Sequence, residues 1–380
     1  MANTIPAVMT QLVARAVGVL RRRSHMARYV TTAYSLSPGQ KGKTVDVEIP
    51  PTATAAAITA ANSFPANTAT VATTTPITLD QWYGSDFNMS DQEMTQVSKD
   101  LNYFPAAAAA SLAAVVTKVD DSLLGLYTAV YNAGGTAGTT PFATTSNAWT
   151  TGARKLLNES LAPMDDRHVV LDSDAEANAV NLSEFKSLYA SGDPGVIVNG
   201  EIGQKLGANW VLNQGVDTHT RGTLTGSPLV NDASYGIGET TVDIDATSLS
   251  GTVVIGDIFT VAGDTQQYTV TANATAATNA IAGMAFTPAS KVAWADNAAV
   301  TFIASHQANL AFQRGAFALA TAPFESVDSS LGMTQSVVDP LSGLVIRLEV
   351  SRQYKQTRWE WDVLYGVKAI RPELAARILG

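Results

Sequence analysis

The most regular alternation of hydrophobic and polar positions in the chain lies in "RWEWDVLYGV" (358–367). A repeat of two residues predicts a β-strand with one buried face. The hydrophobic positions are Trp359, Trp361, Val363, Tyr365 and Val367, and the polar ones are Arg358, Glu360 and Asp362. The run "LVIRLEV" (344–350) predicts the partner strand. We expect Trp359, Trp361 and Tyr365 to anchor this C-terminal sheet, and Pro372 to open a short C-terminal helix.

A spacing of alternately four and three residues marks the longest predicted helix, over residues 106–132. This spacing is typical of one continuous hydrophobic helix face. The positions on that face are Leu112, Val116, Val119, Leu123, Leu126 and Val130. Gly134 and Gly135 would end the helix. At 1.5 Å per residue it would be roughly 40 Å long. We call it the spine helix, and we expect the two tryptophans to pack towards its hydrophobic face.

Two β-branched runs precede the spine helix, "GKTVDVEI" (42–49) and "PITLDQWYGSDF" (76–87), and they predict the strands of a hairpin. No charged residue lies between Ile49 and Leu79. The segment is either a flat hairpin arm that lies on another surface or a disordered linker. The arm is favoured, because disordered segments usually carry charge. Ser90 and Glu93 form a capping-box pattern, which predicts the start of a helix.

The middle of the chain mixes helices and strands, whereas residues 223–305 do not. "NAWTTGARKLLNESLAPM" (147–164) and "SDAEANAV" (173–180) predict helices, and "RHVVLD" (167–172) between them predicts a buried strand. Residues 223–305 hold short runs of Val, Ile, Thr and Tyr between Gly, Asp and Asn, which predict a small β-sandwich or barrel. The mixed pattern resumes at 309–324, so the β segment is expected to be an insertion.

The amino-acid composition limits the kinds of active site and surface that the chain can have. Charged residues make up 15% of the 380 residues, below the roughly 25% of typical soluble domains. A surface with few charged residues is expected where copies of one chain cover each other. It is also expected on a poorly soluble enzyme. The absence of cysteine excludes disulfides and thiolate sites. Four separated histidines show no metal-ligand spacing: His25, His168, His219 and His306. No HExxH, P-loop or nucleophile elbow is present, so we predict no catalytic residue, no metal, no cofactor and no enzymatic activity.

Charge is distributed unevenly. Residues 1–45 contain seven basic residues and no acidic one. They include five arginines, Arg15, Arg21, Arg22, Arg23 and Arg28. Residues 223–305 carry seven acidic residues against Lys291 alone. One end of the chain therefore favours an anionic neighbour, and the β segment repels anions.

The N-terminal segment is predicted to be an amphipathic helix over residues 7–23. Its hydrophobic stripe would be Val8, Leu12, Ala16 and Val19. Gln11 and Arg15 interrupt the apolar run, and the arginine cluster follows it, unlike in a signal peptide. The run is also too short to span a bilayer, so neither a signal peptide nor a membrane span is predicted.

The order of these parts resembles the major capsid protein of tailed bacteriophages, the Hong Kong 97-like fold, and most of all the podovirus coat-protein type with a β-rich insertion domain. The segments that carry the resemblance are "MANTIPAVMTQLVARAVGVL" (1–20), "GKTVDVEIP" (42–50), "ARKLLNESLAPMDDRHVVLDSDAEA" (153–177), "NLAFQRGAFALAT" (309–321) and "VLYGVKAIRPELAARIL" (363–379). The resemblance implies an α+β chain with an N-terminal arm, an extended loop, the spine helix, and peripheral and axial domains. The implied boundaries are 1–34 for the basic arm, 35–95 for the extended loop, 96–164 for the spine helix and peripheral domain, 165–222 for the axial domain, 223–305 for the inserted small β-sandwich or barrel, 306–335 for the axial domain continued, and 336–380 for the peripheral strands and C-terminal helix.

The function implied by the resemblance is that of a coat protein. It self-assembles through pentamers and hexamers into an icosahedral shell around double-stranded phage DNA. Implied partners are scaffolding and portal proteins and non-specifically bound DNA, without a membrane. The implied location is the virion capsid, assembled in the host bacterial cytoplasm. The five arginines would face DNA or an acidic scaffold inside the shell, the insertion would lie outside, and the C-terminal helix would fill a seam between subunits.

Two other interpretations are open. The chain could be an encapsulin-like compartment shell protein. It could also be a virion decoration or receptor-binding protein that acts through the 223–305 domain.

Overall fold

The computed structural model describes residues 9–10, 12–13, 16, 26–34, 39–49, 73–99, 106–187, 196, 199–232, 235–324, 328–329, 332–339 and 342–380. The chain divides into two compact units. Unit 1 comprises Met1–Arg21, Thr32–Val115 and Ala318–Lys368, and unit 2 comprises Arg22–Thr31, Val116–Phe317 and Ala369–Gly380. Both contain strands and helical segments, as the predicted α+β class requires.

The α-helices that lie wholly among the described residues are α1 (Asp91–Lys99), α2 (Ala106–Leu124), α3 (Arg154–Glu159), α4 (Ser173–Asn181) and α5 (Ser183–Lys186). Short 3-10 turns lie at Met26–Arg28, Gly125–Ala129, Arg314–Ala316 and Pro372–Leu374, and a π-turn lies at Ala148–Ala153.

The strands are β1 (Thr31–Tyr34), β2 (Thr44–Ile49), β3 (Thr73–Thr78), β4 (Gln81–Ser90), β5 (Ala133–Gly135), β6 (Arg167–Leu171), β7 (Gly203–Lys205), β8 (Ala208–Leu212), β9 (Thr218–His219), β10 (Leu229–Val230), β11 (Thr241–Asp245), β12 (Thr252–Val253), β13 (Ile258–Val261), β14 (Tyr268–Val270), β15 (Ala274–Thr275), β16 (Ala280–Thr287), β17 (Val300–Phe302), β18 (His306–Gln313), β19 (Phe317–Thr321), β20 (Asp328–Ser329), β21 (Gly332–Val338), β22 (Val345–Gln353), β23 (Gln356–Ala369) and β24 (Ala375–Leu379).

Unit 1 is organised by a seven-stranded sheet in the order β1-β19-β23-β22-β21-β20, with β4 also paired to β23. The predicted strand pair is confirmed, because β22 and β23 pair antiparallel from Ile346↔Val363 to Gln353↔Gln356. β4 runs along β23 over ten residue pairs, from Gln356↔Ser90 to Tyr365↔Gln81. The alternating strand is therefore an interior strand of the sheet, with a neighbour on each edge.

The predicted hairpin forms, but with a different second strand. β2 pairs antiparallel with β3 over six residue pairs, from Thr44↔Thr78 to Ile49↔Thr73. The predicted second strand over 76–87 is therefore wrong beyond Thr78, because residues from Gln81 onward join the larger sheet as β4 and bury Phe87 and Met89 there. The part of the loop over 50–72 lies outside the described residues.

The capping box is confirmed at the start of α1. The backbone N–H of Ser90 donates to Glu93 Oε2 at 2.8 Å, and the N–H of Glu93 donates to Ser90 Oγ at 3.4 Å. Reciprocal capping of this kind satisfies N–H groups that a helix start leaves unpaired. α1 thus begins at the end of β4.

The spine helix is α2, and it ends earlier than predicted. Four of its predicted hydrophobic positions are buried on the helix, namely Leu112, Val116, Val119 and Leu123. Gly125, a poor helix former, begins a 3-10 turn that contains the half-buried Leu126, and Val130 is buried in extended backbone. The prediction that Leu126 and Val130 continue the helix to Gly134 is therefore wrong. The border of the two units falls inside α2, after Val115.

Unit 2 contains a second seven-stranded sheet in the order β5-β24-β18-β6-β8-β7, with β9 also paired to β18. β24 pairs parallel with β5 and antiparallel with β18, and all five of its residues are buried. The predicted C-terminal helix is wrong, because Pro372–Leu374 makes only a 3-10 turn before β24 begins. Strands with a neighbour on both edges and both faces covered take continuous apolar runs such as "AARIL". The residues expected to fill a seam between subunits therefore lie in the interior of unit 2.

Residues 223–305 form a β-barrel within unit 2. Six antiparallel strands follow the order β10-β11-β16-β14-β13-β17. The two end strands meet, because the Val230 N–H donates to Ala298 O and the Val300 N–H donates to Pro228 O, both at 2.9 Å. The interior holds its own cluster of buried residues, which includes Tyr235, Phe259, Tyr268, Phe286 and Trp294. The short β runs expected from the sequence of this segment are present as strands.

The chain enters and leaves the barrel segment at neighbouring strands of the unit 2 sheet. β9 precedes the barrel and β18 follows it, and the two pair at His306↔His219. Close entry and exit points are what the insertion of one domain into another requires.

Candidate assembly surfaces

The three residues predicted to anchor the C-terminal sheet lie on β23 in unit 1, and all are fully buried. The ring of Trp359 stacks on Phe87 of β4 at 6.4 Å, and the ring of Tyr365 lies 6.3 Å from that of Tyr83. Burial of such side chains stabilises a sheet by removing large apolar areas from water. The contact of Trp359 and Trp361 with the spine helix stays a prediction.

A charged pair that the sequence pattern did not predict crosses the same sheet. Asp362 was expected on the polar face of β23, but it is 3% exposed. Arg347 of β22 donates to both oxygens of Asp362, and Trp82 Nε1 donates to Asp362 Oδ2 at 3.0 Å. The guanidinium of Arg347 also lies over the ring of Phe324, 4.3 Å from its centre. A carboxylate can be buried here because a bidentate partner satisfies it.

The base of the hairpin β2–β3 is fixed to the sheet of unit 1. The Leu79 N–H donates to Lys43 O at 2.8 Å, and the Gly42 N–H donates to Leu79 O at 2.8 Å. Lys368 Nζ donates to Pro76 O at 3.2 Å. A Cβ at Gly366 would lie 2.1 Å from Thr78 O, so only glycine allows the hairpin and β23 to come this close. The pair of strands beyond this base has no third strand among the described residues, and a two-stranded sheet is marginally stable alone.

Of the five arginines of the predicted basic arm, only Arg28 belongs to the described residues. Arg15, Arg21, Arg22 and Arg23 lie outside them. Arg28 is half-buried in unit 2, where it lines a cavity of about 690 Å³. Four carboxylates line the same cavity, those of Asp120, Asp121, Glu176 and Glu201. Arg28 therefore has anionic groups of its own chain close by.

The predicted N-terminal helix is described at five positions. Met9, Leu12, Val13 and Ala16 are helical and buried, and Thr10 is helical and exposed. This agrees with an amphipathic helix at the positions concerned. Val8 and Val19 of the predicted stripe lie outside the described residues.

Unit 2 brings together two histidines, His219 and His306, that are separated by the whole barrel segment in sequence. The rings of His219 and His306 lie 5.3 Å apart. His219 bonds at both ring nitrogens, with Tyr127 Oη at 3.3 Å from Nδ1 and Asp257 Oδ1 at 2.9 Å from Nε2. The remaining oxygen of Asp257 accepts from the Val254 N–H at 2.9 Å. We call this set the buried polar centre.

The buried polar centre resembles the hydroxyl, imidazole and carboxylate series that activates a nucleophile in many hydrolases. His219 is 3% exposed and Asp257 is 1% exposed, so a substrate could not reach them in this conformation. Asp257 also accepts from the Gly222 N–H at 3.2 Å, which fixes the segment entering the barrel to the turn before β13. The geometry supports a structural role, in which the centre holds the barrel to the sheet of unit 2.

Arg377 completes the centre from β24 and is fully buried. Its Nη1 donates to Gly256 O at 2.8 Å, its Nη2 donates to Thr128 O at 3.3 Å, and its guanidinium lies over the ring of Tyr127. Burial lowers the pKa of Arg377 to about 9, which leaves it protonated at neutral pH. One arginine thus ties the C-terminal strand, the turn after the spine helix and the barrel together.

We predict that acid weakens unit 2 through His306. Burial, aided by the nearby charge of Arg377, lowers the pKa of His306 to about 4, whereas an unfolded histidine titrates near 6.5. Between these values the unfolded chain binds a proton that the folded chain does not, so the free energy of unfolding falls as pH falls. The effect should reach about 2 to 3 kcal/mol near pH 4. Above about pH 6.5 it should vanish.

The measurement is urea unfolding of the dilute protein at several pH values between 7 and 4, compared with the variant His306→Asn. An asparagine amide can replace the Nδ1–H that donates to Ala304 O at 2.9 Å. The variant should have a shallower pH dependence. Some slope should remain, because burial also lowers the pKa of His168. Parallel profiles for the two proteins would contradict the prediction.

No group of three or more His, Cys, Asp or Glu side chains among the described residues is arranged to hold a metal ion. Among the same residues, no helix has both the length and the apolar character needed to cross a membrane.

Comparisons with known proteins give matches among solved structures alone. No protein-family model matches the chain, and no curated protein matches it. A chain of the capsid of cyanophage P-SCSP1u is similar over 93% of this chain and 87% of its own length, with a TM-score of 0.43 and 12% identity. A chain of the mature capsid of bacteriophage PhiM1 is similar over 91% and 84%, with a TM-score of 0.42 and 11% identity.

A virus-like particle from Pyrococcus furiosus provides a third similar chain. The similar region covers 96% of this chain and 96% of that one, with a TM-score of 0.40 and 8% identity. The solved chains to which this chain is similar along most of its length thus include two from phage capsids and one from a virus-like particle.

Proposed function

We propose that this chain is the major capsid protein of a tailed bacteriophage, and that many copies assemble into an icosahedral shell around double-stranded DNA. The observation that carries the proposal is the order of parts along the chain. A hairpin (β2–β3) precedes a long helix (α2), and a strand pair late in the chain (β22–β23) lies in the middle of the sheet of unit 1. A barrel lies between two neighbouring strands of the sheet of unit 2. This is the order that the resemblance to Hong Kong 97-like capsid proteins implies.

In this proposal the hairpin is the extended loop, and a neighbouring subunit supplies the surface that it lies on. Each of its strands buries one described side chain, Val47 and Ile77, while Asp46, Glu48 and Thr74 are exposed. Such a narrow sheet gains little stability by itself. Contact with another copy would supply the apolar burial that it lacks.

The barrel is assigned as the insertion domain on the outside of the shell. Its acidic side chains Asp232, Glu239, Asp243 and Asp296 are exposed. An acidic surface repels DNA, which suits the outside of a container for DNA. The arginines at 15 and 21–23 are proposed to face the interior, where a polyanion or an acidic scaffold would neutralise them.

The proposed division into arm, extended loop, peripheral domain and axial domain starts from the boundaries expected from the sequence and changes them to follow the two units. Residues 116–164 fall in unit 2 and join the proposed axial domain, whereas residues 318–335 fall in unit 1 and join the proposed peripheral domain. Residues Ala375–Leu379 belong with the axial sheet of unit 2 and not with the peripheral strands. Scaffolding and portal proteins are proposed as partners, and the host bacterial cytoplasm as the place of assembly. The role in this proposal is structural and not catalytic.

The proposal is tested by producing the full chain in bacteria together with the candidate scaffolding protein encoded beside it. We expect closed shells in electron micrographs and a fast-sedimenting peak. The protein alone at low concentration should remain as small oligomers. A chain that stays a monodisperse monomer with and without scaffold, under every assembly condition, would overturn the proposal.

The content of the shells separates the proposal from the encapsulin-like alternative. Shells produced during phage infection should hold double-stranded DNA that is protected from nuclease. A shell that instead encloses one folded protein cargo, and never nucleic acid, would support a compartment protein. Full-length protein that binds host envelopes but forms no shell would support a receptor-binding role.

A further inference from the structure

A short loop of unit 2 exposes two large hydrophobic side chains. Residues 160–166, "SLAPMDD", connect α3 to β6, and we call them the docking loop. Leu161 is 88% exposed and Met164 is 76% exposed. Single exposed apolar residues are common, but two in one loop of seven residues, beside a proline, make a local apolar surface.

The docking loop is held in one conformation. Arg167, which is 5% exposed, donates from Nε to Pro163 O at 2.7 Å, from Nη2 to Ala162 O at 2.7 Å and from Nη1 to Asn158 Oδ1 at 2.8 Å. All three nitrogens of a buried guanidinium are thus used on the loop and the helix before it. These hydrogen bonds fix the conformation of the docking loop.

The held conformation is strained. Leu161 has φ +56° and Asp166 has φ +54°, both in the left-handed region that disfavours side chains with a Cβ. Backbone strain of this kind persists where the surrounding structure imposes it, and it is frequent at binding sites. Neither exposed side chain gains burial within its own unit. A contact with another molecule would bury these two side chains and so offset the free-energy cost of the strained conformation.

A groove of about 520 Å³ on unit 2 has matching chemistry. Its lining is apolar or neutral, with Pro141, Phe142, Leu156 and Leu379 among small residues. Lys155 is the one charged residue in the lining, and its side chain is 64% exposed. A Cβ at Gly134 would lie 2.8 Å from the Cα of Gly152, so bare backbone forms part of the lining.

The loop and the groove are complementary in charge as well as in polarity. Asp165 and Asp166 follow Met164 directly, and both are exposed. Asp166 pairs with Arg314 of its own chain at 3.8 Å, which leaves Asp165 for a partner. The lining of the groove contains no carboxylate and offers Asp165 one basic group, that of Lys155. Lys155 pairs with Glu159 at 3.6 Å in an exposed contact, which is weak enough to exchange for another.

We propose that the docking loop inserts Leu161 and Met164 into this groove on a second copy of the chain. The loop does not fill the groove of its own chain, because both side chains are exposed there. The choice of a second copy rests on the proposed function, which brings many copies into contact. Loop and groove are different patches, so the contact is heterologous and repeats from copy to copy, as a ring or an array requires.

The absence of cysteine allows a direct test by disulfide trapping. Met164→Cys and Thr139→Cys are made as single variants, since Thr139 is exposed and lines the groove. The two are mixed, assembled with scaffold and oxidised. A covalent dimer should form in the mixture at least ten times more than with either variant alone. The control replaces Met164→Cys by Tyr354→Cys, which is 85% exposed in unit 1.

A second arm tests the loop without cross-linking. The double variant Leu161→Ser, Met164→Ser should assemble at least ten times more slowly while its thermal unfolding stays unchanged. The positioning residue is tested with Arg167→Gln, which should slow assembly although Leu161 and Met164 remain. Ile237→Ser, at a residue 71% exposed on the barrel segment, is the matched control and should assemble normally.

Each outcome decides between the two proposals. Shells with no cross-link above the control would overturn the docking contact and leave the capsid function intact. A cross-link without shells would support the contact and contradict the capsid function. If the serine variant assembles slowly but no cross-link forms, the loop binds a different protein and the second copy is ruled out. Absence of both shells and cross-link would overturn both.

Discussion

A chain that ends at Leu374, without residues 375–380, should fail to fold. β24 lies between β5 and β18, and its removal leaves both of those strands with an open edge in the interior of the sheet. It also removes five buried residues and all bonds of Arg377. Whole domains are stable by only about 5–15 kcal/mol, and the loss of a central strand exceeds this margin. We expect insoluble protein, because exposed strand edges aggregate.

The measurement is the yield of soluble protein, followed by circular dichroism and thermal unfolding of whatever remains soluble at low concentration. A milder variant, Ile378→Ala, should fold but lose about 2 to 4 kcal/mol of its free energy of unfolding, since Ile378 is fully buried. Tyr354→Ala at an exposed turn is the control and should change it by no more than about 0.5 kcal/mol. If the truncated chain unfolds normally and only shells are missing, the segment serves contacts between subunits, as the sequence alone predicted.

The substitution Trp361→Ala should reduce the free energy of unfolding by about 3 to 5 kcal/mol. Trp361 is fully buried on β23, where it pairs with Leu348 of β22 and Ser85 of β4. The cavity left in the interior of the sheet cannot close, because strands on both edges hold the backbone of β23 in place. The loss should therefore lie in folding itself and precede any effect on assembly.

Two comparisons make this prediction specific. Trp361→Phe should be much milder, because the indole Nε1 of Trp361 has no hydrogen-bond partner to lose. Trp82→Ala, at a tryptophan 52% exposed on the same sheet, should cost less than Trp361→Ala. Chemical denaturation of the three variants at one protein concentration gives the order. Equal losses at Trp82 and Trp361 would contradict the interior placement of Trp361.

The strands predicted best are those whose pattern alternates over many residues. The alternation of β23 predicted its buried tryptophans, because a period of two leaves one arrangement of faces. The same pattern misplaced Asp362, whose burial depends on Arg347, a partner 15 positions away that the alternation does not reveal. The barrel was also predictable, since turn residues separate its short strands.

The C-terminal strand could not be predicted from its own residues. Ala, Arg and Leu are strong helix formers, and Pro372 fits the first turn of a helix. In the structure, hydrogen bonds from β5 and β18 override these local preferences. One feature of the segment did point to a buried strand. Arg377 is a single charged residue in an apolar run, and in the structure it is buried and donates to carbonyl groups.

The candidate functional surfaces also differ in how far the sequence predicted them. The first strand of the hairpin was predictable, because β2 is rich in β-branched side chains. The second strand was misplaced, because most of the run expected to form it belongs to β4. The buried polar centre was not, because Tyr127, His219, Asp257 and Arg377 come from four distant segments. The docking loop was hidden as well, since only the structure shows that Leu161 and Met164 point into water.

The position of β24 also dictates when the molecule can become native during synthesis. Asn132 beside β5 donates to the carbonyl of Ala375, 243 positions further along the chain. Until residue 379 has left the ribosome, the sheet of unit 2 lacks a strand between β5 and β18. Contacts so distant in sequence form late and slowly. A nascent or prematurely ended chain therefore cannot present a finished unit 2, and only chains translated through this strand can offer their surfaces to other copies.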